Sequence, residues 1–176
     1  MPPAQVRAAF RDLHGARLHG FALLVTLGDR ARAARLAAGA LTAGGTRLAD
    51  LRHPERAAAW LRARVLAGAA RTGRSQRRRP GVEAMAVLET VGVDAAMLSG
   101  LIALTVRERG ALVADWIEGL DRRDVATIVA MDGRRLDRLI MQARARYMAV
   151  VADAPGALAD GPTADRIRRA AARVLA

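Results

Sequence analysis

The sequence contains no cysteine and no lysine, and aromatic residues make up only 3% of it. Without cysteine the chain can form neither a disulfide framework nor a thiolate metal site, and it has no cysteine nucleophile. Without lysine it cannot form a P-loop, which places a lysine at the bound phosphates. Apolar residues still reach 52%, so the core must be built of leucine, valine and alanine. Because alanine, leucine and arginine are strong helix formers, this composition predicts an all-α fold.

Long apolar runs and ligand clusters are also missing. The longest mostly apolar run, Phe21 to Leu27, is far too short to cross a membrane. Since the N-terminus also lacks the pattern of a signal peptide, we expect a cytoplasmic protein without membrane contact. The histidines His14, His19 and His53 have no cysteine or carboxylate at ligand spacing. We therefore expect no metal or other cofactor, and the lack of a Ser-His-Asp grouping argues against an enzyme.

The excess positive charge is confined to the first half of the chain. Residues 1–80 contain 16 arginines and four acidic residues, a balance of +12, whereas residues 81–176 contain 13 of each and balance to zero. A GC-rich genome would explain arginine in place of lysine, but not why acidic residues are scarce in one half only. The asymmetry indicates a polyanionic partner, with nucleic acid as the first candidate.

The chain divides into two predicted helical domains with a basic linker between them. Residues 1–74 are expected to form the first domain, and the stretch GRSQRRRPG near its end combines glycine, proline and arginine as linkers do. We place the linker at 75–81 and the second domain at 82–151. The tail, residues 152–176, is predicted to end in an amphipathic helix capped by Thr163.

Helix-terminal residues predict the boundaries within each domain. Asp94 and Thr105 are placed as N-caps, because their side-chain oxygens can accept from free backbone N–H groups. Asp121 is placed at the start of a short helix, where its charge favours the helix dipole. The helix that starts after Thr105 is expected to run unbroken to Glu118. The pair Gly44-Gly45 is expected to stop the second helix of the chain.

The segment from Asp121 onward has the pattern of a helix-turn-helix. A short helix to Val129 and a turn over 130–133 precede a longer helix from Arg134 to Val151. This is the arrangement with which a second helix enters the major groove of DNA. An ordinary helical hairpin with a solvated charged face accounts for the same pattern, and the pattern alone does not separate the two. The positions expected to be exposed on the second helix are Arg134, Arg135, Asp137, Arg138, Gln142, Arg144 and Arg146.

Three segments of the chain carry a family resemblance. Leu104 to Met148 has Glu-Gly-Leu before the motif, Asp-Val-Ala in its first helix and an Ala-Arg-Ala-Arg ending. Leu18 to Ala37 contains a Gly-Asp turn, and Asp50 to Arg74 contains a Trp-Leu helix. In this order and spacing the chain resembles the extracytoplasmic-function class of bacterial sigma factors. The segments Leu18 to Ala37 and Asp50 to Arg74 are similar to the second domain of these sigma factors, and Leu104 to Met148 is similar to their fourth domain. The resemblance therefore covers most of the chain outside the tail.

The resemblance implies a transcription initiation factor, not an enzyme, that binds RNA polymerase core and promoter DNA. An anti-sigma factor is a further candidate partner. The Trp-Leu helix would face the promoter element nearer the start site, and the helix-turn-helix would read the farther one. Base-edge contacts, where arginine suits guanine, are predicted for Arg134, Arg135, Arg138 and Gln142. Phosphate contacts are predicted for Arg62, Arg64, Arg71, Arg74, Arg77, Arg78 and Arg79.

Two departures from the family keep other functions open. The acids with which the family docks on polymerase are replaced by the stretch from Ala34 to Gly39, which includes Arg35. Asp137 places a negative charge where the family has a base, which is unfavourable near phosphate. Both departures favour an alternative, a degenerate sigma-like protein that binds a regulator or the polymerase without reading promoters. Nonspecific DNA binding through the basic half is a third possibility.

Overall fold

The computed structural model describes residues 3–48, 50, 53–71, 80–90 and 93–152. Over these residues the fold is all-α, as the composition predicts, and no strand is formed. The tail helix predicted from Thr163 lies outside the described residues. So do four of the predicted phosphate contacts, namely Arg74, Arg77, Arg78 and Arg79.

Eight α-helices and one π-helical turn make up the described fold. The first half contributes α1 (Pro3–Val25), α2 (Arg30–Gly45) and α3 (Pro54–Arg71). The second half contributes α4 (Val82–Thr90), α5 (Ala95–Ile102), α6 (Val106–Leu112), the π-helical turn (Val113–Ile117), α7 (Arg122–Val129) and α8 (Gly133–Ala152).

The predicted N-caps Asp94 and Thr105 are confirmed, and Asp121 caps α7 at the helix start that the sequence predicts. The Asp94 side chain accepts from the backbone N–H of Met97 at 2.8 Å, and that of Asp121 accepts from the N–H of Asp124 at 2.8 Å. Thr105 forms a reciprocal capping box with Glu108, whose carboxylate accepts from the Thr105 N–H at 2.9 Å. Each cap satisfies an N–H group that the first turn of a helix leaves without an intrahelical partner.

Two predicted boundaries differ from the structure. The helix expected over 106–118 is interrupted at Leu112, because residues 113–117 wind as a π-helical turn. Gly44 does not stop α2, which includes both Gly44 and Gly45. A Cβ on Gly44 would lie 2.9 Å from Cε1 of Phe10. Glycine is required there because α1 and α2 approach closely.

Helix α3 lies at the centre of the fold and has two buried faces. On one face, Leu61 lies near Gly44 of α2. On the other, Leu66 packs against Gly110 of α6, where a Cβ would lie 2.6 Å from Cδ1 of Leu66. The buried apolar residues of both halves therefore form one continuous core. The two predicted domains are in direct contact, and their division at 75–81 stays a prediction.

The described helices were also compared with the requirements of a membrane span. None of them is by itself both long and apolar enough to cross a membrane. Helices α4 and α5 together reach the required length and composition, but they are bent by 117° at the break between them.

Candidate nucleic-acid interface

The third face of α3 is exposed and basic. Arg56, Arg64 and Arg71 recur at helical spacing on this face, and Trp60 lies half-buried among them. We call these four residues the α3 stripe. The guanidinium carbon of Arg64 lies 5.1 Å from the centre of the Trp60 ring, and that of Arg47 lies 5.6 Å from it. The stripe thus combines cations that can contact phosphate with an aromatic ring, which is the pairing used to bind single strands.

A cleft of about 680 Å³ adjoins the N-terminal end of the α3 stripe. Arg56 and Trp60 line one side of it, and Arg123 and Thr127 of α7 line the other. The stripe and the first helix of the helix-turn-helix therefore share a surface. This surface has mixed charge, because its lining includes three arginines and three aspartates. They are Arg47, Arg56, Arg123, Asp50, Asp121 and Asp124.

The structure corrects the prediction that Arg62 contacts phosphate. Its side chain is only 6% exposed, and that of its partner Glu118 is 4% exposed. The guanidinium donates to both carboxylate oxygens of Glu118, at 2.5 and 3.1 Å, and lies over the ring of Phe21. Burial raises the pKa of Glu118 above its ordinary value, while Arg62 opposes that rise. Arg62 therefore joins the two halves and is closed to solvent.

The helix-turn-helix has the predicted order of elements. Ala130 ends α7 in the left-handed conformation, with φ of 52°, and α8 starts at Gly133. The apolar stripe of α8 is buried and includes Leu136 and Ile140. The four side chains predicted to contact base edges all lie exposed on the first three turns of α8: Arg134, Arg135, Arg138 and Gln142. Their contact with DNA stays a prediction.

Asp137 forms an ion pair with Arg122 of α7. Both side chains are about half exposed. The negative charge that the sequence places on the face of α8 is thus balanced within the motif. Arg122 is not available for phosphate while it holds this pair.

The arginines in the middle of α8 are paired with acids of the second half. Arg144 pairs with Asp115 at 2.5 Å and lies over the Trp116 ring at 4.8 Å, both on the π-helical turn. Arg146 pairs with Glu108 at 2.9 Å. Sequence periodicity places both arginines on the exposed side of α8, but each charge is balanced by an acidic residue of the second half.

The sequence analysis missed Arg109, the largest fully buried side chain among the described residues. Its guanidinium donates to the carbonyls of Leu101 (2.9 Å), Leu104 (2.9 Å) and Val25 (2.6 Å). These carbonyls lie at the C-terminal ends of α5 and α1, where the helix dipole favours a cation. Burial, and secondarily the charge of Arg32, lowers the pKa of Arg109 to about 10, so it is still protonated at neutral pH. One signal was available, since Arg109 occupies an apolar position in the periodicity of α6.

The described residues contain no group of three or more histidine, cysteine or carboxylate side chains that could hold a metal ion. Comparison of the whole chain with family models, with curated proteins and with solved structures finds no match.

Proposed function

We propose that this chain is a sigma-like transcription initiation factor that binds RNA polymerase core and promoter DNA. The observation that carries the proposal is the presence of two nucleic-acid-compatible surfaces on one chain. One is the α3 stripe and the other is the exposed start of α8, and they occur in the order seen in the sigma-factor resemblance. The charge balance of +12 over residues 1–80 supports a polyanionic partner for the half that carries the stripe.

The two surfaces would make different kinds of contact. The start of α8 presents Arg134, Arg135, Arg138 and Gln142, whose side chains can donate to base edges in the major groove. The α3 stripe presents Arg64 and Arg71 to phosphates, which hold the DNA without reading its sequence. Trp60 offers a ring on which an unpaired base can stack.

A second candidate function has support in α2. In the family resemblance this helix docks on polymerase through acidic residues, whereas here its exposed face carries Ala34, Arg35, Ala38 and Gly39. A basic, small-residue face would suit a different protein surface. The chain would then be a sigma-like regulator that binds another protein and reads no promoter.

The test combines core binding with sequence selection. The purified protein is mixed with RNA polymerase core from its own host, and the complex is used to select sequences from a random DNA pool before run-off transcription. We expect a stable complex, a selected motif and transcripts that start at a fixed distance from that motif.

Two variants divide the roles of the surfaces. The triple substitution R134Q/R135Q/R138Q should abolish or change the selected motif, whereas R64Q/R71Q should weaken binding to all sequences alike. Failure to bind core and to select any motif, together with tight binding to another protein of the host, would instead establish the second candidate.

A further inference from the structure

Helix α4 contributes a single buried side chain to the described fold. It spans nine residues, of which only Leu88 is buried. Leu88 packs on the turn between α1 and α2, where a Cβ on Gly28 would lie 2.9 Å from its Cγ. A helix of this length is not stable by itself in water and depends on the packing of an apolar face. Helix α4 therefore needs more cover than the described residues give it.

The uncovered side of α4 is mostly apolar. Four exposed residues recur on it at the i, i+3, i+4 and i+7 positions of one helix face: Val82, Met85, Ala86 and Glu89. We call these four residues the α4 face. The exposed fraction is 86% for Val82 and 38% for Met85. A contiguous exposed apolar patch of this kind marks a surface that binds another segment or another protein.

A groove of about 410 Å³ adjoins the α4 face and shares Ala86 with it. Ala86 and Val87 line the groove from α4, and His19 and Leu23 line it from α1. An apolar helix face beside a groove is a surface on which a second amphipathic helix can lie. The shape of this region therefore suits a helical occupant.

The charge of α4 selects among the candidate occupants. The helix contains Glu83 and Glu89 and no basic residue. These acids disfavour nucleic acid or an anionic lipid surface as the occupant. Two copies paired through this face about a two-fold axis would bring like charges together. A basic amphipathic helix matches both the apolar side chains and the two carboxylates.

The end of the chain has this composition. Residues 163–176 contain four arginines and one aspartate. The sequence predicts a helix there, with four apolar residues on one face: Ile167, Ala171, Val174 and Leu175. This segment lies outside the described residues, and its charge is opposite to that of α4.

The described chain ends near enough for this segment to reach α4. Val151, in the last turn of α8, packs on α5, since a Cβ on Gly100 would lie 2.9 Å from its Cγ2. Helix α5 is the element that follows α4 in the chain. Residues 153–162 can span about 33 Å when extended, whereas α4 and α5 end to end would measure about 26 Å. The connection is therefore long enough.

We propose that residues 163–176 bind the α4 face as an amphipathic helix. The apolar side of this helix covers Val82 and Met85, and its arginines lie within reach of Glu83 and Glu89. The tail thereby supplies the packing that α4 lacks. Neither DNA nor polymerase takes part, so this inference stands apart from the proposed function.

Engineered cysteines test the placement directly, because the chain has none of its own. The full-length variant M85C/V174C is oxidised with diamide at low protein concentration, and the intramolecular disulfide is followed by mass spectrometry. It should form at least about tenfold faster than in the control M141C/V174C, because binding raises the effective concentration of the two thiols. Met141 is 67% exposed on α8 and lies outside the α4 face.

Equal rates of disulfide formation in the two variants would overturn the proposal, because an unbound tail reaches both positions. A wild-type dimer in analytical ultracentrifugation that M85D dissociates would overturn it as well. That result would show that a second copy of the chain covers the α4 face.

Hydrogen exchange covers the case in which neither cysteine pair oxidises. V174D places a charge on the apolar side of the segment and should speed amide exchange in α4 at least about tenfold, because Leu88 is then its only anchor. A172D adds the same charge on the other side of the predicted helix and should exchange like wild type. Amides of α7 should be unchanged in both variants, which shows that the fold is intact. Unchanged exchange of α4 in V174D would contradict the inference.

Discussion

The two halves of this molecule use their arginines in opposite ways. In the second half, three described arginines form ion pairs with acids of the same half: Arg122 with Asp137, Arg144 with Asp115 and Arg146 with Glu108. In the first half, the described ion pair is the exposed Arg47–Asp50, and the stripe arginines have no described carboxylate partner. The difference in net charge therefore understates the difference in accessible positive charge between the halves, because the first half also leaves its cations exposed.

The comparison also separates two kinds of buried arginine. Arg109 is satisfied by backbone carbonyls and helix ends, whereas Arg62 is satisfied by a carboxylate of the other half. The first kind holds backbone carbonyls of both halves, since Val25 belongs to the first half, and the second pairs opposite charges across the contact between the halves. The largest expected effects come from these two residues.

Replacement of Arg109 by methionine should have the largest effect on stability. It would leave the carbonyls of Val25 and Leu104 without a donor, each costing on the order of 1 to 3 kcal/mol, while that of Leu101 keeps the backbone N–H of Leu104, so a total loss of about 4 kcal/mol is expected. Urea unfolding measures the free energy difference. Arg107→Met, an exposed neighbour on the same helix, should change stability by less than about 0.5 kcal/mol. Similar losses for both variants would show that Arg109 has no special role.

Breaking the Arg62–Glu118 ion pair between the halves should have the next largest effect on stability. Glu118→Leu leaves the Arg62 charge buried without its carboxylate, and a loss of about 3 kcal/mol is expected. Adding Arg62→Met should restore most of that stability, because no buried charge is left. At the exposed pair of the first half, Asp50→Asn should cost less than about 0.5 kcal/mol. Additive effects of the two substitutions at 62 and 118 would refute the coupling.

The difference in accessible charge predicts a difference in DNA binding. Arg64→Gln with Arg71→Gln removes two accessible cations of the first half. The slope of log affinity against log salt should therefore fall by about 1.8, at roughly 0.9 for each phosphate contact. Arg144→Gln with Arg146→Gln removes the same charge from paired positions of the second half and should leave the slope unchanged. Equal changes in slope for the two double variants would show that pairing does not decide which arginines meet DNA.

Local features of this fold could be predicted from sequence, whereas its long-range partners could not. Asp94 and Thr105 cap helices as expected, because capping depends on residues only three positions apart. The partner of Arg62 lies 56 residues away, and that of Arg109 in α1 lies 84 residues away. Helical periodicity shows which residues share a face, but not which distant group covers that face. For this reason the sequence predicts a phosphate contact for Arg62, which the structure buries against Glu118.

The turn of the helix-turn-helix offers a smaller test within the second half. Ala130 has a φ of 52°, a conformation that glycine adopts without the steric cost of a Cβ. Ala130→Gly should therefore stabilise the protein by about 0.5 to 1 kcal/mol in thermal or urea unfolding. Ala145→Gly, the same substitution in the exposed middle of α8, should destabilise it by about 1 kcal/mol. Two shifts of the same sign would mean that Ala130 is not strained.

The smallest expected effect lies in the first half, at His14. Burial, and then the charge of Arg62, lowers the pKa of His14, so the unfolded chain binds a proton there more readily than the folded one. The neutral ring therefore contributes stability above the ordinary histidine pKa, and this contribution is lost as the pH falls below that value towards the lowered one. Between about pH 8 and about pH 5, wild type should lose more stability than His14→Gln. His19→Gln is the control, and an identical pH profile for wild type and His14→Gln would contradict the prediction.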